Sequence, residues 1–215
     1  MRISLEQALD ILMDHVTQGR TERKPLEQCL GLVLSQDVFA LLDMPPFSRS
    51  AQDGYAFQAK DSAAASKEQP VELKVTGKIY AGDFSEAEVK PGEAIRIMTG
   101  AMIPVGADCV LRQEDTDEGE DAVRIYKEVE PGCSICFKGE EYKKGHILLH
   151  AGTKIDAAAL AVASGNGIME LPVYERVRAA VVSSGSEVVE PGTPLTPGKI
   201  YNTNTVYMKA RLHQL

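Results

Sequence analysis

Apolar residues recur at helical spacing through the first twenty positions. Leu5, Ala8, Leu9, Leu12 and Val16 form an i, i+3, i+4 stripe that stops before Gly19, and Ser4 with Gln7 has capping-box spacing, so the pattern predicts a helix. Such a stripe reads as a core or domain contact. A second apolar piece, Leu26 to Leu34, is broken by Gly31, and the prolines of Met44-Pro45-Pro46-Phe47 mark a boundary. From about 71 to 127 the period changes to two. Val71, Leu73 and Val75 alternate with polar residues, as do Val123 and Ile125, while 94–98 and 107–111 read as short strands separated by Gly or Pro. That spacing predicts a compact β barrel or sandwich inserted into a mixed domain. Gly145 to Leu149 reads as another strand. Asp156 is the expected N-cap of a helix over 157–163, with Gly165 and Gly167 ending it. Val177 to Val182 reads as a buried strand, a Pro/Gly-rich loop follows, and 204–212 reads as a helix.

That last strand and helix resemble the opening of an α/β layer, which one helix cannot cover on both sheet faces. The chain therefore reads as a truncated piece of a longer protein, or as one whose sheet a partner completes. Its 215 residues carry 31 Asp and Glu against 23 Lys and Arg, a formal charge of −8. That balance argues against nucleic acid or an anionic membrane as partner. No apolar run approaches the roughly 20 residues of a membrane span. The N-terminus, with Glu6 and Asp10, lacks the apolar core of a secretory signal, so a cytoplasmic setting with four reduced cysteines is expected.

Two segments hold unusual chemistry. Pro45 to Ala56, PPFSRSAQDGYA, contains an Asp-Gly turn dipeptide, and by itself reads as a rigid loop between domains. Ile95 to Ala101, IRIMTGA, reads as a strand ending in a hydroxyl and a Gly turn. Cys133, Cys136, His146 and His150 give C-x2-C-x9-H-x3-H. A zinc finger prefers about 12 residues in the middle and histidines on a helix, so ordinary thiols and surface histidines are the stronger reading. The acidic run 114–118 reads as a solvated loop, and Lys143-Lys144 as a solvated turn close enough to Glu141 to touch a phosphate.

Taken together and in order, PPFSRSAQDGYA, IRIMTGAMIPVGADCVL, GEEYKKG, SSGSEV and IYNTN resemble the molybdopterin molybdenumtransferase family, which includes MoeA and the E domain of gephyrin. The family patterns are PPF-x-x-SAMDGYA, IRIMTGAP-x-P-x-GADAVV, GED-x-x-KG, STGDEL and Y-D-x-N, and the likeness runs from Ser4 to the end of the chain. It implies an enzyme that inserts molybdate into adenylylated molybdopterin, hydrolysing the adenylate with Mg²⁺. It also implies a homodimer whose cleft lies between the second domain of one subunit and the third of its mate, with the upstream molybdopterin adenylyltransferase as a further partner. Position by position, the resemblance makes Asp53, Thr99 and Glu187 the expected catalytic residues, and Ser184, Gly185 and Glu141 the expected substrate-binding ones.

The implied architecture is α+β and multidomain. A linker domain is made of 1–43 and 141–174, a β domain of 44–140 is inserted in it, and 175–215 begins an α/β molybdopterin-binding domain. Four departures stand out. Glu141 replaces the GED aspartate, Gln52 the methionine of SAMDGY, and Ser186 the aspartate of STGDEL. Ser134-Ile135-Cys136-Phe137 replaces the family's basic residues and leaves Lys138. The family's phosphate loop would follow Leu215, so the chain alone is expected to be inactive. The rival expectation is a non-catalytic scaffold like gephyrin.

Overall fold

The computed structural model describes residues 3–84 and 86–214. In chain order the elements are α1 (Leu5–His15), β1 (Thr21–Pro25), β2 (Val38–Phe39), β3 (Arg49–Ser50), β4 (Gly54–Phe57), β5 (Val71–Ile79), β6 (Glu93–Ile97), β7 (Cys109–Arg112), β8 (Ala122–Ile125), β9 (Ile135–Cys136), β10 (Ile147–Leu149), α2 (Ala157–Gly165), β11 (Glu170–Tyr174), β12 (Val188–Val189), β13 (Ile200–Tyr201) and α3 (Thr203–Gln214). The chain divides into two compact units, Lys24–Leu171 and the pair of end segments Met1–Arg23 with Pro172–Leu215.

The larger unit is built on a five-stranded mixed sheet of order β7-β4-β6-β5-β8. Strand β4 runs antiparallel to β6 and β7, while β5 runs parallel to β6 and antiparallel to β8. Alternate residues of β4 feed two cores. Tyr55 and Phe57 pack with Leu73, Leu111, Val123 and Ile125 on one face, and Ala56 packs with Ile79, Val89, Ile95, Ile97 and Val110 on the other. Each large side chain so buried contributes about 1.5–3 kcal/mol. Burial on both faces explains why β4 escaped the period-two reading. Gly54–Phe57, expected to belong to a loop, is the second strand in from the sheet edge, and no residue in it is left polar to mark an outer face.

Further two-stranded pieces among the described residues are β3 with β9, β2 with β10, and β1 with β11. Helix α2 begins at Asp156, whose Oδ1 accepts the Ala159 N–H at 2.8 Å, as its position predicts. It closes at Asn166, where the backbone N–H returns to Ala163 and Ser164.

In the smaller unit, α1 carries the reciprocal Ser4–Gln7 cap. Its apolar stripe is not in a core, however. Leu5 is 71% exposed, and Leu9, Leu12 and Val16 are at least half exposed, because nothing among the described residues packs on that face. Val177–Val182 also departs from expectation. Val177 and Val182 are 91% and 88% exposed, and no described residue offers this segment a hydrogen-bonding edge, without which an extended run is not a strand. The ordered β structure here is the short parallel pair β12–β13, leading into α3.

Candidate active site

The DGY and MTG triplets meet at one end of the five-stranded sheet. Asp53 is the residue before β4, and Thr99 is the second residue after β6. Antiparallel pairing sets Gly54 opposite Ile97, which brings the two ends together. Asp53 Oδ1 accepts both the Thr99 backbone N–H and the Thr99 hydroxyl, each at 2.7 Å. Those two donors, the backbone one first, hold the Asp53 carboxyl below the usual carboxylate range, and the nearby Arg96 charge adds to the effect. Among the described residues no hydrogen bond reaches Oδ2, so one oxygen of an ionised carboxylate stays open.

Two glycines make the junction feasible. A Cβ on Gly54 would lie 2.0 Å from the Leu111 carbonyl oxygen, so only glycine lets β4 and β7 approach at that point. Gly100 has φ +82°, the left-handed turn that takes the chain away immediately after Thr99. The loop around Ser50 is then laced to this turn: Gly100 N–H donates to Ser50 O at 2.9 Å, Ser50 N–H to Ala101 O at 2.9 Å, and Ile103 N–H to Ser48 O at 3.0 Å. On its other side β3 pairs with β9, Arg49 opposite Cys136 and Ser50 opposite Ile135.

The third motif is stitched to the same loop. Lys138 N–H donates to Ser48 Oγ at 3.2 Å, Gly139 N–H to Pro45 O at 2.9 Å, and Glu141 N–H to Met44 O at 3.0 Å. Glu141 itself projects an exposed side chain with no hydrogen bond among the described residues. Asp43 clamps the turn beyond it, taking the Lys144 N–H at 2.9 Å and lying 3.7 Å from Lys138 Nζ. The Lys144 N–H is the main cause of its lowered pKa, with the lysine charges assisting.

Ser184, Gly185 and Glu187 belong to the smaller unit. The Glu187 carboxylate folds over Gly185, where an added Cβ would meet Oε2 at 2.8 Å, and Val188 N–H returns to Gly185 O at 3.2 Å. Beside them, buried Asn202 caps α3 by accepting the Thr205 N–H at 3.1 Å, and donates to Ser183 Oγ and Glu190 Oε1 at 3.0 Å each. The structure thus joins Asp53 with Thr99, ties Glu141 to their loop through the backbone, and groups Gly185 with Glu187 separately.

Several contributors were not singled out from sequence. Arg96 stands over the Tyr55 ring at 5.8 Å and donates to Gln113 Oε1 at 3.1 Å, while the Gln113 N–H holds the Asp53 carbonyl at 3.0 Å. Its position inside IRIMTGA was the available signal. Asp108 of the GAD triplet accepts the Ala59 N–H at 2.6 Å and so serves the fold. Cys133 lies two residues before β9 and Cys136 ends it, while His146 and His150 flank β10. Among the described residues no group of three or more His, Cys, Asp or Glu converges as a metal cluster.

The family model describing the MoeA N-terminal region (domain I and II) matches residues 3–167. Molybdopterin molybdenumtransferase 2 of Mycobacterium tuberculosis is 44% identical over 207 residues, covering 96% of this chain and 51% of its own length. The molybdopterin molybdenumtransferase of Staphylococcus epidermidis is 38% identical over 212 residues, with 99% and 51% covered. The crystal structure of the molybdopterin biosynthesis moeA protein from Pyrococcus horikoshii OT3 superposes with a TM-score of 0.89 at 34% identity, over 97% of this chain and 56% of that one. The chain spans about half the length of the curated relatives it matches.

Proposed function

The chain belongs to the family defined by the MoeA N-terminal region, and on that premise we propose that it forms one half of a molybdopterin molybdenumtransferase, which inserts molybdate into adenylylated molybdopterin. The observation that carries this reading is the Asp53–Thr99 pair, an ionised carboxylate aimed by two donors at the end of a rigid sheet. Asp53 and Thr99 act as catalytic residues, with Glu141 binding substrate on the same wall. Asp53 keeps Oδ2 free, and a hard cation is satisfied by one or two carboxylates plus substrate phosphates, so the residues present fit Mg²⁺. When bound, Mg²⁺ supplies positive charge to the phosphate oxygens of the adenylate. Thr99 orients Asp53 and keeps it ionised, so that Oδ2 would face the cation and the substrate phosphates.

Glu187, with Ser184 and Gly185 binding substrate, forms the facing wall from the mate of a cytoplasmic homodimer, an assembly that light scattering checks. The upstream adenylyltransferase supplies the substrate. The domain bounds follow the same reading, 1–43 with 141–174, then 44–140, then 175–215. Confinement of the five-stranded sheet to the second of these, and of β12, β13 and α3 to the third, supports it. Among the described residues no helix is long and apolar enough to cross a membrane.

The test joins this chain to the C-terminal half of the Mycobacterium tuberculosis relative and supplies adenylylated molybdopterin, molybdate and Mg²⁺. The joined protein should make cofactor, and the chain alone should not. Asp53→Ala and Thr99→Ala should each abolish most of the turnover while shifting the melting temperature by only a few degrees, since neither truncation opens a core cavity. A joined, folded protein without turnover, or a fully active Asp53→Ala variant, would overturn the proposal.

A further inference from the structure

The turn carrying Glu141 is one limb of a narrow ribbon, and the other limb is the segment that leads into PPF. Backbone bonds join them: Met44 N–H to Tyr142 O at 2.9 Å, Glu141 N–H to Met44 O at 3.0 Å, and Gly145 N–H to Ala40 O at 2.9 Å. One buried side chain touches both limbs. Asn166 is 1% exposed, and its Oδ1 accepts the Leu41 N–H at 3.0 Å while its Nδ2 donates to the Tyr142 hydroxyl at 2.6 Å. This orientation is forced, because a backbone N–H can only donate and must face the amide oxygen.

The amide is not needed where it stands. The end of α2 is already closed by the Asn166 backbone N–H, which reaches Ala163 and Ser164, and by Gly167 N–H, which reaches Ser164 at 2.9 Å. Both polar atoms of the side chain are instead given to residues 125 and 24 positions away, on the two limbs of one ribbon. Tyr142 follows Glu141 directly, and Leu41 stands two residues before Asp43, which clamps Lys144. A primary amide carries an acceptor and a donor on one rigid plane, so it sets the spacing of the limbs as well as satisfying them. An apolar residue of similar size would leave the Leu41 N–H and the Tyr142 hydroxyl without this partner at a part-buried position, and would remove the one side chain that touches both limbs.

We infer that Asn166 is a positioning residue, which acts through the Tyr142 hydroxyl to fix the Glu141 turn against the 41–44 limb and so places the Glu141 carboxylate for hydrogen-bond donors of the substrate. This rests on the reading of Glu141 as a substrate-binding residue. The backbone ladder joins the two limbs to each other, and the amide joins both of them to the end of α2.

Two measurements on Asn166→Leu, Tyr142→Phe and the double variant test the inference. Hydrogen–deuterium exchange on the chain as it stands should show turn amides 141–145 losing about tenfold or more of their protection in each variant. In the joined protein, KM for adenylylated molybdopterin should rise about three- to tenfold with kcat held within about twofold, the pattern of lost substrate positioning. The double variant should be no worse than the more severe single one, because both remove the same latch. Unchanged exchange in Tyr142→Phe, which keeps the fold even where Asn166→Leu fails, would overturn the latch. Faster exchange with unchanged KM would overturn its positioning role. An inactive unsubstituted joined protein would instead defeat the functional proposal, and the exchange result would still decide the latch.

Discussion

Replacing Gly54 by alanine puts a methyl group where the structure has a carbonyl. The new Cβ would sit 2.0 Å from Leu111 O, 2.8 Å from Leu111 C and 2.9 Å from the Arg112 Cα, all backbone atoms that no rotamer change can move aside. Carbon and oxygen in close sheet contacts stand about 3.3–3.6 Å apart, so β4 and β7 must part by more than about 1 Å. Overpacking of this kind costs about 1–3 kcal/mol. Loss of a ladder hydrogen bond adds about 1 kcal/mol, for a total near 3 kcal/mol. At about 2–4 °C per kcal/mol for a chain of this size, the melting temperature should fall by about 6–12 °C. Gly77, in β5, is the control: nothing lies within 4 Å of its added Cβ, and its backbone is not left-handed. Gly77→Ala should therefore be neutral or stabilising by up to about 1 kcal/mol. Thermal melts followed by circular dichroism, with urea unfolding as a second measure, decide it. A Gly54→Ala protein melting within about 2 °C of the parent would falsify the close-approach argument.

The Asp115 carboxyl is held down to about 2 by hydrogen bonds from Arg112 and Lys127. A depressed folded-state pKa stabilises above the unfolded value, near 3.9, and the benefit drains away as pH falls through 2. Urea midpoints measured from pH 5 down to pH 2.5 should therefore fall less steeply in Asp115→Asn than in the parent, and parallel curves would refute this. Burial, with Asp108 assisting, pushes the Cys109 thiol up to about 12, whereas Cys133 is exposed. At pH 8 a disulfide reagent should label Cys133 and spare Cys109 until denaturant is added. Peptide mapping that finds Cys109 labelled as fast as Cys133 would contradict the packing.

Local chemistry was legible wherever the signal lies within a few residues. Ser4 and Gln7 close their capping box, Asp156 caps α2, and the alternation of Val71, Leu73 and Val75 becomes β5, since each depends on neighbours in sequence. The order of the motifs pointed to the family for the same reason. What the residues alone could not show is which positions meet. Gly54–Phe57 looked like a loop because both its faces are covered, and its partners lie 37 to 58 residues downstream. The pairing of Asp53 with Thr99 is decided by that register, not by either motif. The Asn166 bridge depends on contacts 125 and 24 residues away, invisible to any local pattern. The stripe on α1 and the apolar run at Val177–Val182 show the converse, because periodicity tells which face is apolar and only the tertiary structure decides whether anything covers it. Sequence therefore determined the elements with local causes and the family they belong to. The fold decided which ends converge, because convergence is a property of long-range hydrogen-bond register and packing.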